Sequence, residues 1–127
     1  METIKFFILT IFLIFFNLKY LYSQPINGKL VSLQILDKVT SRLENIEVKV
    51  GEYIIFDSLQ IEIIMCKKRP PEEIPENFVL MRINDKISNE NLKKVFQGWM
   101  ISSSPSVTPF EHPIYDVWVK DCKIDID

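Results

Sequence analysis

One histidine, His112, and one pair of cysteines, Cys66 and Cys122, are the residues of this chain with the widest chemical reach. His112 stands between Glu111 and Pro113, with Asp116 just beyond it and Ser102, Ser103 and Ser104 opening the same stretch. A histidine base, a carboxylate to orient it and a serine nucleophile are the ingredients of hydrolysis through a covalent intermediate. The glycine-flanked elbow that presents such a nucleophile is missing, and a triad is defined by geometry rather than by order along the chain. His112 is therefore read as a loop anchor held by hydrogen bonds ahead of Pro113. A hydrolase using His112 with an acidic residue is the alternative. No catalytic residue is assigned.

The cysteines allow two chemistries. With His112 they make three metal ligands, without a fourth and without C-x-x-C spacing, so neither a metal nor another cofactor is expected. In an oxidising compartment an even count favours a disulfide. Bridging Cys66 to Cys122 closes a long loop, which the chain-entropy account values at about 4 kcal/mol. The residues before Cys66 complicate this. Leu59, Ile61, Ile63 and Met65 alternate with polar residues, and strict alternation puts Cys66 on the face of Gln60 and Glu62. Either a bulge changes the parity, or the bridge lies on the outer face of a sheet.

The binding candidates are Arg69, Trp99, His112, Tyr115, Asp116 and Trp118. Tryptophan and tyrosine join a large apolar body to a polar tip, which suits a contact surface as well as a small core. A half-buried Asp116 needs a donor, for which Arg69 and Arg82 are available. Two loops carry most of these residues. Lys67 to Asn77 is rich in proline and charge, extended and solvated in character; Ser102 to Pro113 is long for a small β domain. If the cysteines are bridged, Arg69 is expected to pair with Asp116 or Glu111 near Trp118, uniting both loops in one surface. That requires the first loop to run back along the last strand.

The elements that must position these groups read as strands. Ile46, Val48 and Val50 alternate with charges, and so do the apolar residues from Leu59 to Met65. Leu33 to Val39 and Phe78 to Ile83 are further strands. Val95 to Ile101 and Ile114 to Cys122 are apolar on both parities, as in strands covered on two sides. Only Ser88 to Lys94 is expected to be helical. Gly51, Pro70-Pro71, Asn84-Asp85 and Pro105 to Pro113 punctuate the strands. The fold expected is all-β, a single small β-sandwich or compact barrel over residues 24–127.

Residues 1–23 read differently. Lys5 precedes an apolar run from Phe6 to Phe16 of secretory length, and Leu21-Tyr22-Ser23 precedes a possible cleavage point. The segment is read as a signal peptide, which places the domain in the periplasm or otherwise outside the cytoplasm. An uncleaved anchor is the alternative, and the only route to a membrane. The formal net charge of −2 leaves no electrostatic footprint for nucleic acid.

Three stretches resemble a known family. They are Cys66-Lys67-Lys68-Arg69-Pro70-Pro71-Glu72-Glu73 with Pro75-Glu76-Asn77, then Phe96 through Pro105, then Glu111 through Cys122, supported by Lys38 and Thr40. Together they resemble domain of unknown function 2155, small exported proteins of alphaproteobacterial type. Gln97 and Ser103 depart from the family's usual serine and alanine. The resemblance implies an envelope location and no reaction. The function expected is a noncatalytic binding or accessory module for an envelope protein or polymer. A purely structural accessory subunit is a further alternative.

Overall fold

The computed structural model describes residues 1–17, 24–88 and 91–126. Among the described residues a helix, α1 (Glu2–Asn17), precedes eight strands: β1 (Ile26–Asn27), β2 (Leu30–Asp37), β3 (Arg42–Lys49), β4 (Tyr53–Phe56), β5 (Leu59–Lys68), β6 (Asn77–Ser88), β7 (Asn91–Ile101) and β8 (Tyr115–Lys123). All strand pairings are antiparallel. One sheet runs β1-β5-β6-β7 with β4 also on β5, and the other runs β3-β2-β8. The sheets face each other without closing, so the fold is a sandwich rather than a barrel.

The core is what the alternation predicts. Leu33, Ile35, Leu59, Ile61, Ile63, Val79, Met81 and Ile83 are fully buried between the sheets. Residues of one parity share a face of a strand, and burying that face fixes the register. The strand expected over Leu33 to Val39 is β2, which ends two residues earlier because Asp37 accepts hydrogen bonds from the amides of Val39 and Thr40. This Asx turn competes with the ladder.

Three expectations are corrected. Ser88 ends β6 and Asn91–Lys94 belong to β7, so the described part of the expected helix is strand; residues 89–90 lie outside the described residues. Long-range pairing of β7 along β6 overrides a weak local helical pattern. β7 and β8 are edge strands whose outward residues face solvent, not a second layer: Trp99 is exposed and Trp118 half-buried. Met65, placed with the inward residues by strict alternation, points outward.

The reason for the last correction is a bulge. The β5–β6 register slips between Ile63 and Met65, which turns Met65 out and Cys66 in. β8 carries a matching irregularity, with Ser32 opposite Asp121 but Leu33 opposite Val119, and this turns Cys122 inward. Both cysteines are buried and bridged, with Cα atoms 6.0 Å apart, so the disulfide ties one sheet to the other through the core. Gly28 packs on it, and a Cβ there would overlap both sulfurs. α1 contributes no buried residue. Among the described residues no helix is long and apolar enough to cross a membrane. The cleavage point at Leu21-Tyr22-Ser23 lies outside the described residues.

Candidate functional site

His112 is buried between the sheets. Its Nδ1 accepts hydrogen bonds from the amides of Ile114 and Tyr115, at 3.1 and 3.2 Å. With Nδ1 an acceptor, Nε2 carries the proton and donates it to Asp85 at 2.7 Å. The ring stacks on Phe110 at 5.7 Å and leans on Tyr115 at 5.4 Å. The acid that orients His112 is thus Asp85 of β6, not Glu111 or Asp116. The hydrogen bond from His112 holds the Asp85 carboxyl below the ordinary aspartate range, against the opposing pull of burial.

Tyr115 extends this cluster. Its hydroxyl donates to Asp57 at 3.0 Å, and its ring meets Phe56 edge-on at 5.9 Å. Burial, then the Asp57 hydrogen bond and charge, push the phenol up to about 12. Lys38, in the turn just after β2, closes the cluster, donating to the His112 carbonyl and pairing with Asp116 at 3.5 Å. The donor for Asp116 is therefore Lys38. Arg82 pairs with Glu62 at 3.0 Å instead.

The two loops do meet, through residues that the charge pattern did not single out. Glu76, at the end of the proline-rich loop, is 8% exposed. Its carboxylate accepts from the Ser102 hydroxyl at 2.8 Å, from the Ser103 amide at 3.1 Å and from the Ser103 hydroxyl. The Asn77 amide adds a further bond at 3.1 Å. Burial raises the Glu76 carboxyl, but the serine hydroxyls and the backbone amides outweigh it and the group settles below the ordinary glutamate range. The Asn77 side chain carries the knot onward, donating to Ser102 and accepting from the Cys122 amide. Ser102 and Ser103 are thereby committed to Glu76, and His112 to Asp85. Among the described residues no serine–histidine pair forms.

Arg69 does not reach Asp116 or Glu111. Its guanidinium lies 5.7 Å from the centre of the Phe78 ring, on the outward face of the β5–β6–β7 sheet. The physical reason is the length of β8: Asp116 lies toward the opposite end of that strand from Cys122, where Lys38 pairs with it, while Arg69 packs on Phe78. The six expected binding residues fall in three places. His112 and Tyr115 are in the core, Arg69 and Trp99 lie on the outer face of one sheet, and Asp116 and Trp118 lie on the other sheet.

Asp116, Val117 and Trp118 also line a cleft of about 240 Å³, together with Pro105, Pro109 and Phe110 of the long loop. Its walls are a tryptophan, prolines and one carboxylate, a lining suited to holding a ligand by apolar contact with one polar fix. Among the described residues no cluster of three or more metal-ligating side chains occurs. The sequence signal that could have found Glu76 is slight: a carboxylate between Pro75 and Asn77 in a charged loop looks solvated.

Comparison with known proteins agrees with this geometry in placing the shared segment on the β domain. The family described as an uncharacterized protein conserved in bacteria (DUF2155) matches residues 31–122, from β2 to the second cysteine. "Uncharacterized protein RP359" of Rickettsia prowazekii (strain Madrid E) is 40% identical over 96 residues, covering 76% of this chain and 60% of that protein. The chain thus matches only about 60% of that relative's length. No solved structure matches the chain significantly. The match spans both sheets, both bulges and the disulfide, and the chain belongs to the DUF2155 family.

Proposed function

We propose that the domain is a noncatalytic binding module of the cell envelope, holding a protein or envelope polymer at the Trp118 cleft. One observation carries this reading. His112 and two of the three loop serines, Ser102 and Ser103, are spent on the fold, while Trp99 and Trp118 keep exposed or half-exposed faces. Both ring nitrogens of His112 have partners, and the Glu76 carboxylate occupies the hydroxyls of Ser102 and Ser103. Export is part of the same proposal: residues 1–23 act as a signal segment, and the disulfide suits an oxidising compartment.

The test is recovery of partners from envelope extracts with a tagged chain, comparing wild type, Trp118→Ala and His112→Ala. The reading expects partner recovery to fall at least tenfold with Trp118→Ala, and to persist with His112→Ala at temperatures where that variant stays folded. Hydrolysis of ester, amide or glycan substrates that disappears with His112→Ala would overturn it.

A further inference from the structure

We propose that the outward face of the β5–β6–β7 sheet is a docking surface for an anionic lipid bilayer. The proposal deepens the reading of the domain as an envelope binding module, and it concerns a face other than the Trp118 cleft.

The strand registers define the face. One row carries Lys67, Phe78 and Ile101, with the Arg69 guanidinium over Phe78. The next carries Met65, Leu80 and Trp99. Glu62, Arg82 and Gln97 follow, then Gln60, Asn84 and Lys94. Five apolar side chains are thus contiguous on a face that no layer of the described residues covers, with Met65 39% and Trp99 38% exposed. Met65 belongs to this patch only because the β5 bulge turns it outward.

The charge on the face is lopsided. Lys67, Arg69, Arg82 and Lys94 stand against one acid on the strands, Glu62, which Arg82 neutralises. The loop acids Glu72 and Glu73 lie beyond Arg69 on the connector. A chain with a net charge of −2 has therefore gathered cations around its exposed apolar rows. Two such faces would repel each other, which argues against a second copy as the occupant. Lysine and arginine lay their stems on apolar surface and keep their charges at the headgroup level, where tryptophan also settles.

The path of the chain favours lipid over an acidic protein. β1 joins the sheet beside Lys67 and Lys68, so the segment from α1 enters the domain at the basic end of this face. The side chains of α1 are exposed and mostly apolar, with Phe6 75% and Phe7 70% exposed. While that helix is held in a bilayer, the face stands a short tether from the headgroups. After cleavage, the same face can keep the domain there.

The experiment is vesicle co-sedimentation of residues 24–127. This segment contains every buried core residue among the described residues, and α1 contributes none. Vesicles of phosphatidylglycerol and phosphatidylcholine in equal parts are compared with phosphatidylcholine alone. We expect at least tenfold tighter binding to the anionic vesicles, weakening as salt is raised. Each basic residue near such a surface is worth about fivefold, so Lys67→Glu with Lys94→Glu should lower binding at least about 20-fold. Lys49→Glu with Lys120→Glu, the same charge change at exposed positions of the other sheet, should change it less than about twofold by the same scale. Trp99→Ala should weaken binding without altering its salt dependence. Thermal melts confirm that each variant is folded.

Equal binding to both vesicles, no binding, or equal losses in the two double variants would overturn the proposal. Loss of a captured protein partner with Lys67→Glu and Lys94→Glu, without vesicle binding, would make the face a protein interface. That result would overturn the lipid assignment and leave the binding-module reading standing. Retained vesicle binding alongside failed capture at the Trp118 cleft would do the reverse.

Discussion

Glu76 shows how a surface-type residue becomes structural. A buried carboxylate is tolerated only when its oxygens are met by donors, and here hydroxyls and amides from two loops supply them. Glu76→Gln keeps the shape but brings an N–H to the donors and removes the charge. It should cost about 2 kcal/mol, a fall in Tm of roughly 8–16 °C for a domain near 100 residues, measurable by thermal melting. The pH dependence has a definite sign. The Glu76 pKa is lowered on folding from an unperturbed 4.5, so its stabilisation is fully present above that pH and is lost as pH falls through the folded value. Asp85 behaves likewise below its unperturbed 3.8. Denaturant titrations at pH 6 and in this acid range should show the decline, and Glu76→Gln should lack its share. His112→Ala leaves the Asp85 carboxylate and two amides without their partner and opens a gap between Phe110 and Tyr115. Its expected cost is about 3 kcal/mol by the same reasoning and by the cavity left behind, read from chemical denaturation.

At the scale of elements, the two bulges decide where the disulfide sits. Without them, both cysteines would face outward beside Gln60, Glu62 and Lys120. With them, the bridge crosses the core and Gly28 seals it. Gly28→Ala should therefore cost about 1–3 kcal/mol, as overpacking does, because the methyl group overlaps both sulfurs and the bridge must shift. A melt of the oxidised variant checks this, and an unchanged Tm would contradict the packing described. Replacing both cysteines by alanine should cost about 4 kcal/mol for a loop of 56 residues. The edges of the sheets are managed by composition: Lys93 and Lys94 on β7 and Lys120 on β8 place charges where unpaired strands would otherwise recruit another chain.

At the scale of the whole molecule, the buried polar clusters and the exposed surfaces divide the work. Lys38, Asp85, His112, Tyr115 and Asp57 pin the long loop and the last strand onto both sheets, so the Trp118 cleft is held in shape by the core beneath it. The outer face of the β5–β6–β7 sheet is built from strand residues alone and needs no loop to position it. α1 takes no part in either, so its removal should leave the domain's melting behaviour unchanged. Sequencing the N-terminus of exported protein should give a start near residue 24. A start at Met1 would favour an uncleaved anchor.

The all-β class, most strand positions and the cysteine pair follow from the sequence alone, because alternation of apolar and polar residues is a local record of which face is buried. The proposal that residues 1–23 act as a signal segment rests on the same local kind of reading, an apolar run of a given length. What the tertiary structure decided depended on residues far apart in the chain. Bulges at Ile63–Met65 and near Lys120 reversed a parity that simple alternation could not. Ser88 to Lys94 lost its local helical character to pairing with the neighbouring strand. Asp85, not Glu111 or Asp116, became the partner of His112, and Lys38, not Arg69, the partner of Asp116. Loop charges carry no periodicity, so nothing local distinguishes the buried Glu76 from the exposed Glu73. Only the approach of Ser102 and Ser103 from the other loop makes burial of Glu76 possible.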